Sequence, residues 1–421
     1  MSSAVRNFYP IRKAFRLSPL VMALALISPF HANAAEQSEK IEQSEQIATQ
    51  THRFHRDHIL GTSLDVVVQG ASKQDAKRAV DAIEKEISQL DQVLSTWRDD
   101  SEITALNNNK QANVSAELFE VIAACETWRD KTCGAFDARL GQLITLWEQS
   151  QGVVKLDEAT RAQILNQLQS DSVKLDAEQR SIAIDSAVKF APDAYAKGYI
   201  IDRALVAARQ AVPSIEGLLV DIGGDIRVWG NAPQKEGWKI GVQDAFVHND
   251  NSASQQVLNL NDQAIAFSGQ GYRTLAGQSH LLDPKTGMPL QQVEQCVVVG
   301  TCAADADALA TALAAMTPSE GLALIEALIG YEAKVTLTDG QVHQSSGWNR
   351  LVQMPQNAEM RTVAASQSSA KWPAGYQAVI VDPSRLQWRD GQLFCADLAI
   401  DLVYNRLTDF YFENQPALRS A

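Results

Sequence analysis

Two neighbouring motifs, SHLLDPKTGMP at residues 279–289 and ADALAT at residues 306–311, organise the rest of this 421-residue chain. In the first motif a short apolar strand leads into a turn, because Pro284 fixes φ and Gly287 tolerates a positive φ. In the second motif Asp307 and Thr311 are four residues apart in an Ala- and Leu-rich run. On a helix their side-chain oxygens would lie on one face. The two motifs therefore predict a turn and a helix that carry an oxygen-rich site.

A carboxylate and a hydroxyl at this spacing can hold Mg²⁺, which prefers oxygen ligands and usually keeps waters or substrate phosphates in its shell. The same two residues also suit a structural role, in which Asp307 interacts with the helix dipole and Thr311 is ordinary helix surface. Spacing alone favours the structural interpretation. Further motifs are needed to decide between the two.

Seven short motifs run through roughly residues 55–345 in an order that is typical of one known family. They are ILGT at 59–62, LSTWRDDSEI at 94–103, GAFD at 134–137, AKGY at 196–199, GGDI at 223–226, SHLLDPKTGMP at 279–289 and ADALATAL at 306–313. On these motifs the chain resembles the ApbE family, the FAD:protein FMN transferases.

The resemblance implies an α+β fold, a mixed α/β two-lobed domain with a flavin cleft. It implies Mg²⁺-dependent transfer of FMN from FAD to a threonine or serine hydroxyl of an exported redox protein, with release of AMP. Two alternatives stay open. The chain could be an exported FAD-binding accessory protein without transferase activity, or a hydrolase that converts FAD into FMN and AMP.

Candidate site residues follow from the resemblance, motif by motif. Asp307, Thr311 and the backbone carbonyl of Ala194 would hold Mg²⁺, and Asp307 also counts as catalytic. His280 is the candidate acid or base for the acceptor hydroxyl or the leaving group, although a structural histidine at the turn is the alternative. Residues implied to contact the flavin nucleotide are Leu60, Trp97, Ala135, Phe136, Asp137, Lys197, Asp225 and Leu281. Trp97 could instead be a half-buried core aromatic, and Lys197 a solvated helix residue.

The segment before Lys197 departs from the family pattern Asp-Leu-Gly-Gly-Ile-Ala-Lys-Gly-Tyr. Ala191 replaces the aspartate that the family uses to hold the flavin nucleotide, and Asp193-Ala194 replaces the glycine pair. A backbone carbonyl survives a side-chain change, so metal binding at Ala194 is retained, whereas flavin recognition depends on whether Asp193 compensates. Arg139 is a second departure, because the family has a small or hydroxyl residue there.

The first 34 residues have the pattern of a secretory signal peptide, with basic residues before an apolar run and an Ala-x-Ala site at 32–34. We expect a soluble periplasmic protein without a membrane span in the mature chain. Removal of this segment takes away four basic and no acidic residues, so the net charge changes from −13 to −17. This acidity argues against nucleic acid or an anionic membrane surface as a partner.

The remaining chain divides by composition. Residues 35–52 read as a flexible leader, 53–350 as the flavin transferase domain, 351–373 as a polar linker and 374–421 as a short C-terminal extension of unknown role. Order is expected to begin with a strand at 62–68 and an amphipathic helix at 75–94, and later helices are expected at 199–211 and, in the extension, at 396–412. Cys125 with Cys133, or Cys296 with Cys302, could form disulfides, or all could be buried small apolar residues.

Overall fold

The structure, a computed structural model, describes residues 50–149, 157–170, 172–233, 237–247, 254–270 and 281–353. It also describes the backbone of short pieces at 274–275, 278–279, 386–389, 392–395 and 398–400. The predicted signal peptide, nearly all of the predicted leader, His280 and most of the chain beyond 353 lie outside the described residues. Among the residues described, no helix is long and apolar enough to cross a membrane.

Helices are interspersed among runs of consecutive strands along the chain. The strands are β1 (Thr51–Ile59), β2 (Thr62–Gln69), β3 (Gln111–Asn113), β4 (Val173–Asp176), β5 (Ser181–Ile184), β6 (Gly217–Ile222), β7 (Asp225–Gly230), β8 (Trp238–Gln243), β9 (Ser254–Leu260), β10 (Ala264–Gly269), β11 (Thr274–Leu275), β12 (Gln278–Ser279), β13 (Val293–Gly300), β14 (Glu332–Leu337), β15 (Val342–Gln344), β16 (Leu386–Arg389), β17 (Gln392–Cys395) and β18 (Leu398–Ile400). The helices are α1 (Lys73–Leu94), α2 (Glu102–Asn109), α3 (Ala116–Lys131), α4 (Gly141–Gln149), α5 (Glu158–Ser170), α6 (Asp193–Ala211), α7 (Ala303–Ala314), α8 (Pro318–Glu326) and α9 (Trp348–Leu351).

The centre of the fold is an eight-stranded sheet with the order β1-β2-β6-β7-β10-β13-β14-β15, in which every neighbouring pair is antiparallel. Consecutive apolar residues in its inner strands are buried on both faces. In β13, Cys296 and Val298 lie in the large core under the helices, whereas Val297 and Val299 lie in a second core with the β8–β9 strands. Both faces of the sheet are therefore covered.

Helix α1 has the amphipathic pattern that the sequence predicts. Its buried stripe includes Ala79, Ile83 and Ile87, and the hydroxyl of Ser72 caps its first turn by accepting a hydrogen bond from the Asp75 N–H at 3.1 Å. Because Ser72 is the N-cap, the helix starts two residues before the predicted Asp75.

Helix α6 starts six residues earlier than the predicted Tyr199. Pro192 is its N-cap residue and Asp193 lies in the first turn, where a carboxylate interacts favourably with the helix dipole. Lys197 and Gly198 therefore lie inside the helix rather than at its start. Gly198 is tolerated there because helix α7 crosses α6 at this point. A Cβ atom on Gly198 would lie 2.3 Å from the carbonyl oxygen of Ala303.

The edge strand β1 was missed by the sequence prediction, which placed the first strand at 62–68. It pairs with β2 from Thr51↔Gln69 onward, so the sheet begins inside the predicted leader. Most of its side chains are polar and none is fully buried, as edge strands commonly are, and this hides the apolar alternation that marks inner strands.

The predicted boundaries at the other end also change. Leu351 belongs to α9, and the Gln353 N–H donates to the Val257 carbonyl at 2.8 Å, so the domain extends at least three residues into the predicted linker. Residues 398–400 form a strand that pairs with β17, which contradicts a helix beginning at 396. Cys125, Cys133, Cys296 and Cys302 are free, so neither of the two possible disulfides is present in the described chain.

Gly198→Ala tests the close crossing of α6 and α7. By helix propensity alone this change stabilises a helix by about 1 kcal/mol, but the overlap with Ala303 should lower the free energy of unfolding by about 2 kcal/mol. Denaturant unfolding of Gly198→Ala and of Val206→Ala, on the exposed side of the same helix, measures the difference. An unchanged or higher stability of Gly198→Ala would show that the two helices can separate freely.

Candidate functional site

A cluster of buried charges lies where α6, α7 and the turn between β6 and β7 meet. The Lys197 Nζ atom is 2.7 Å from Oδ2 of Asp225, and Asp225 is almost fully buried. On the neighbouring helix Asp307 is also buried, and its Oδ2 accepts a hydrogen bond from the Gly198 N–H at 3.3 Å. The structure thus brings together three residues that the sequence motifs nominated separately.

Asp225 is held in place by the tight turn before it. Gly223 and Gly224 both have positive φ, 61° and 98°, which glycine adopts without steric cost. The Gly224 N–H donates to Asp221 Oδ1 at 2.8 Å, and the Phe267 N–H donates to Asp225 Oδ1 at 3.0 Å. These contacts fix the direction of the Asp225 carboxylate towards Lys197.

The turn at Leu60 packs beside this glycine pair. Leu60 and Gly61 connect β1 to β2 with φ values of 49° and 75°. Thr62, the next residue, lies so close to Gly223 that a Cβ there would be 2.7 Å from the Thr62 Cγ2 atom. The predicted residue Leu60 therefore lies next to the turn that presents Asp225.

Electrostatics at the cluster disfavour the ionised form of Asp307. Burial raises the pKa of Asp307 to about 8, the carboxylate of Asp225 contributes in the same direction, and Lys197 opposes it. Burial lowers the pKa of Lys197, but the charges of Asp225 and Asp307 outweigh this and raise its pKa above the ordinary value. Two buried carboxylates share one ammonium group, so the site favours a further cation.

The oxygen atoms around Asp307 suit a hard divalent cation. Thr311 lies one turn further along α7, and its Oγ1 is 3.1 Å from Oγ of the buried Ser268. In a helix the N–H of residue 198 points to the carbonyl of residue 194, so the Ala194 carbonyl and Oδ2 of Asp307 both lie beside the same N–H. A carboxylate, a hydroxyl and a carbonyl are the ligand types that Mg²⁺ prefers, and the residues present fit this ion.

This cluster has fewer acidic side chains than a metal site in which every ligand is a protein side chain. Within the described ranges, no group of three or more His, Cys, Asp or Glu side chains has an arrangement that could hold a metal ion. A metal at Asp307 would therefore complete its shell with hydroxyl and carbonyl oxygens, water or substrate phosphate, as Mg²⁺ usually does.

The predicted GAFD turn follows α3 and precedes α4. Ala135 and Phe136 are buried, and the Phe136 N–H donates to Thr132 Oγ1 at 3.0 Å. Asp137 accepts hydrogen bonds from Arg129 Nε and the Arg139 N–H, both at 2.9 Å. The turn is thus a rigid part of the domain.

Cys125 shows that this turn and the Asp307 cluster are close. Burial raises the pKa of the Cys125 thiol, and so do neighbouring charges that include Asp137, Asp193 and Asp307. One thiol is therefore within electrostatic range of the GAFD turn, the first turn of α6 and the centre of α7.

The described contacts relate Trp97 and Leu281 to the buried cluster only through neighbouring residues. Trp97 is 64% exposed, which contradicts its interpretation as a half-buried core aromatic. The adjacent Thr96 hydroxyl lies 3.4 Å from an Asp193 carboxylate oxygen, so Trp97 is near the start of α6. Leu281 is partly buried, and its carbonyl accepts a hydrogen bond from the Leu290 N–H at 2.9 Å, which closes the 283–289 turn. His280 is outside the described residues.

Arg139 does not extend a phosphate-binding surface. It is buried, its Nε donates to Glu126 Oε1 at 2.9 Å, and its second guanidinium nitrogen pairs with the other oxygen of the same carboxylate. Ala191 lies beside it in the fold, since its N–H donates to the Ala138 carbonyl at 2.8 Å. The position of the missing family aspartate is therefore directly next to the GAFD turn.

Sequence reasoning missed two residues that support the site. Ser268 contacts Thr311, and Asp221 holds the glycine turn before Asp225. Both are short polar residues at the ends of apolar strands, where polar side chains commonly serve turns and sites. Nothing in the local sequence indicates which partners they contact.

Comparisons with known proteins agree with this arrangement. A family model described as the ApbE family matches residues 60–335. The FAD:protein FMN transferase of Vibrio cholerae serotype O1 is 29% identical over 288 residues, which cover 64% of this chain and 82% of that protein. The FAD:protein FMN transferase of Escherichia coli K12 is 28% identical over 269 residues, which cover 58% and 74%.

Solved structures show the same fold. The ApbE protein of Thermotoga maritima has a TM-score of 0.64 and 26% identity, with 72% of this chain and 100% of that chain covered. The flavin transferase ApbE of Vibrio cholerae has a TM-score of 0.60 at 24% identity, with 72% and 99% covered, and this likeness supports the fold alone. The predicted α+β fold class is confirmed.

Lys197→Met tests the charge balance of the cluster. Removal of the ammonium leaves Asp225 and Asp307 buried beside each other, so we expect the free energy of unfolding in metal-free buffer at pH 7 to fall by about 3 kcal/mol. The control is Lys77→Met, which breaks an exposed pair with Asp81 and should cost about 0.5 kcal/mol or less. Equal losses for the two variants would mean that Lys197 is an ordinary solvated residue.

Proposed function

The chain belongs to the ApbE family, and from this premise we propose that it transfers FMN from FAD to a threonine or serine hydroxyl of an exported redox protein. In this reaction the acceptor oxygen forms a bond to the phosphorus of the FMN half of the pyrophosphate. The bond from that phosphorus to the bridging oxygen breaks, and AMP leaves. The acceptor hydroxyl loses its proton, so a base is needed near the acceptor.

The observation that carries this proposal is the buried Asp307 beside the Lys197–Asp225 pair, at the point where α6 and α7 cross. Phosphoryl transfer depends mainly on positioning and on neutralising charge on the phosphates. A rigid, buried cluster with two carboxyl groups and one ammonium group provides such a position for a cation that a pyrophosphate can share.

Asp307, Thr311 and the Ala194 carbonyl would hold Mg²⁺, with the Ser268 hydroxyl orienting that of Thr311. When bound, Mg²⁺ supplies charge neutralisation on the pyrophosphate. Lys197 holds Asp225 in place, and the Gly198 N–H directs one oxygen of the Asp307 carboxylate. His280 is assigned as the acid or base that serves the acceptor hydroxyl or the leaving group.

The flavin nucleotide would occupy the surface between the Leu60 turn, the GAFD turn and the start of α6. The exposed indole of Trp97 offers an aromatic face for the isoalloxazine ring. Asp225 and Lys197 lie beside the glycine turn, and Leu281 is assigned as a further flavin contact. Asp137 is already hydrogen-bonded to Arg129, so its role is to hold the turn in shape.

The second candidate function rests on Ala191. A chain without the family aspartate next to the GAFD turn could bind FAD without transferring FMN, or could hydrolyse FAD to FMN and AMP. The predicted signal peptide supports a periplasmic location for each of these candidate activities, and for the transferase it supports an exported protein as the acceptor.

Asp307→Asn tests the proposed metal ligand. This change removes the charge but keeps the shape, so we expect Mg²⁺-dependent release of AMP from FAD to fall by about 100-fold. The measurement compares AMP release with and without Mg²⁺, alongside in-gel flavin fluorescence of a co-incubated exported redox protein. Asp81→Asn on the exposed side of α1 is the matched control.

The pattern of products separates the candidates. Metal-dependent AMP release with a fluorescent acceptor band supports the transferase, whereas AMP without a labelled acceptor supports the hydrolase. Tight FAD binding without AMP release would identify a binding protein. Full activity of Asp307→Asn would refute the metal assignment.

Ala191→Asp restores the family residue beside the GAFD turn. A new charge-assisted hydrogen bond to the nucleotide should tighten FAD binding by about 10-fold, which quenching of flavin fluorescence measures. Ala191→Ser is the control for side-chain size. An unchanged affinity would mean that this chain already compensates, with Asp193 as the nearest carboxylate.

A further inference from the structure

Asp202 contacts both helices of the site although no motif points to it. It lies on α6, and its two carboxylate oxygens accept hydrogen bonds from the Ala303 and Ala304 N–H groups, each at 3.0 Å. These are the first two residues of α7. The N-cap residue of α7 is Cys302, whose side chain makes no capping hydrogen bond. Asp202 therefore caps α7 from a different element.

Arg227 completes the same contact from the central sheet. Its Nε lies 3.6 Å from Asp202 Oδ1, and one of its terminal nitrogens donates to the carbonyl of Thr301, just before α7. The segment that enters α7 is thus held by α6 on one side and by β7 on the other. An ordinary N-cap uses a side chain from its own helix terminus and needs no contact from another helix or strand.

The spacing along α6 shows why this contact matters for the site. Residues 194, 198 and 202 are four apart, so they lie on one face of the helix. Gly198 contacts the backbone of Ala303 and Ala304, and its N–H reaches Asp307, while Asp202 binds the start of α7. Positions 198 and 202 therefore both contact the first turns of α7, with the later position on α6 at the start of α7.

Asp307 is three to four residues after the capped N–H groups, which is about 5 Å along the helix axis. A helix transmits a shift or rotation at its first turn to its second turn almost unchanged. The Gly198 contact limits how closely α6 and α7 approach, but a contact at one point leaves rotation and sliding open. The Asp202 contact removes that freedom.

We propose that Asp202 is a positioning residue that sets the registration of α7 against α6 and thereby places Asp307 and Thr311 to bind Mg²⁺. This inference rests on the proposed function, since it takes these two residues as ligands of the ion. It assigns to Asp202 an effect on metal affinity beyond the stability that any helix cap provides.

The test compares two variants of Asp202 with a matched cap on the next helix. Asp202→Ala removes both hydrogen bonds, and Asp202→Asn keeps the size but offers only one acceptor. Thr317→Ala removes the N-cap of α8, where Thr317 and Glu320 form a capping box and no proposed ligand follows. All variants are made in the full chain, and the probe is Mg²⁺ alone, titrated while the unfolding temperature is measured.

We expect the unfolding temperature of the unchanged protein to rise with Mg²⁺. Both Asp202 variants should need about 10-fold more Mg²⁺ to reach half of that rise, by analogy with losses around other metal ligands. The Mg²⁺ concentration for half-maximal AMP release should rise equally, while kcat at saturating Mg²⁺ changes by less than about 2-fold. Thr317→Ala should lower the unfolding temperature without changing the Mg²⁺ requirement.

Hydrogen exchange gives a readout that does not depend on metal. The amides of residues 303–306 should exchange faster in the Asp202 variants and not in Thr317→Ala, with the reverse for residues 319–321. Should Asp202→Ala fail to fold, Asp202→Asn decides the question. An unchanged Mg²⁺ requirement in a folded Asp202 variant overturns the inference, even where stability is lost.

The unchanged protein separates this inference from the proposed function. If it binds Mg²⁺ and releases AMP while the Asp202 variants behave like Thr317→Ala, only the inference about Asp202 is wrong. If it releases AMP but shows no Mg²⁺-dependent stabilisation, the metal site and the role of Asp202 are both wrong. If it neither binds Mg²⁺ nor releases AMP, the proposed function fails as well.

Discussion

The close crossing of α6 and α7 at Gly198 is the constraint on which the rest of the site depends. Backbone atoms of the two helices approach so closely that a single methyl group would collide with the Ala303 carbonyl. The same crossing brings the Gly198 N–H to the carboxylate of Asp307 and leaves the preceding residue, Lys197, facing Asp225. A wider crossing would separate these charges and expose them to water.

Two carboxyl groups buried with one ammonium group are unfavourable for stability. Their presence in the folded protein points to a function. Desolvation is the main reason why the pKa of Asp307 is raised to about 8. A bound divalent cation would reverse this penalty, because the opposite charge favours the ionised carboxylate. Surrounding elements hold these groups together and prevent them from moving apart. The glycine turn before Asp225 and the cap on α7 are two of those elements.

The two departures from the family pattern have different structural meanings. Arg139 is paired with Glu126 inside the domain, so it stabilises the scaffold next to the GAFD turn. Ala191 contacts the backbone at Ala138, so a carboxylate at position 191 would lie next to the GAFD turn. Asp193, two residues on, lies at the start of α6 beside Thr96 and is the carboxylate nearest in sequence to the lost one.

The sequence by itself determined the elements whose cause is local. The 3.6-residue apolar stripe of α1, the apolar strands of the central sheet and the order of the seven motifs could all be recognised along the chain, and with them the fold class and the family. Strand β1 and the true start of α6 were missed, because a polar edge strand carries little apolar alternation and a glycine within a helix looks like a boundary.

Only the tertiary structure decided which residues meet. Lys197 pairs with Asp225 and Asp202 caps a helix that begins 101 residues later, while Arg139 turns to Glu126. The physical reason is that periodicity records which face of an element is buried, whereas the partner of a polar side chain depends on where two elements cross. Short-range patterns contain the first kind of information and not the second.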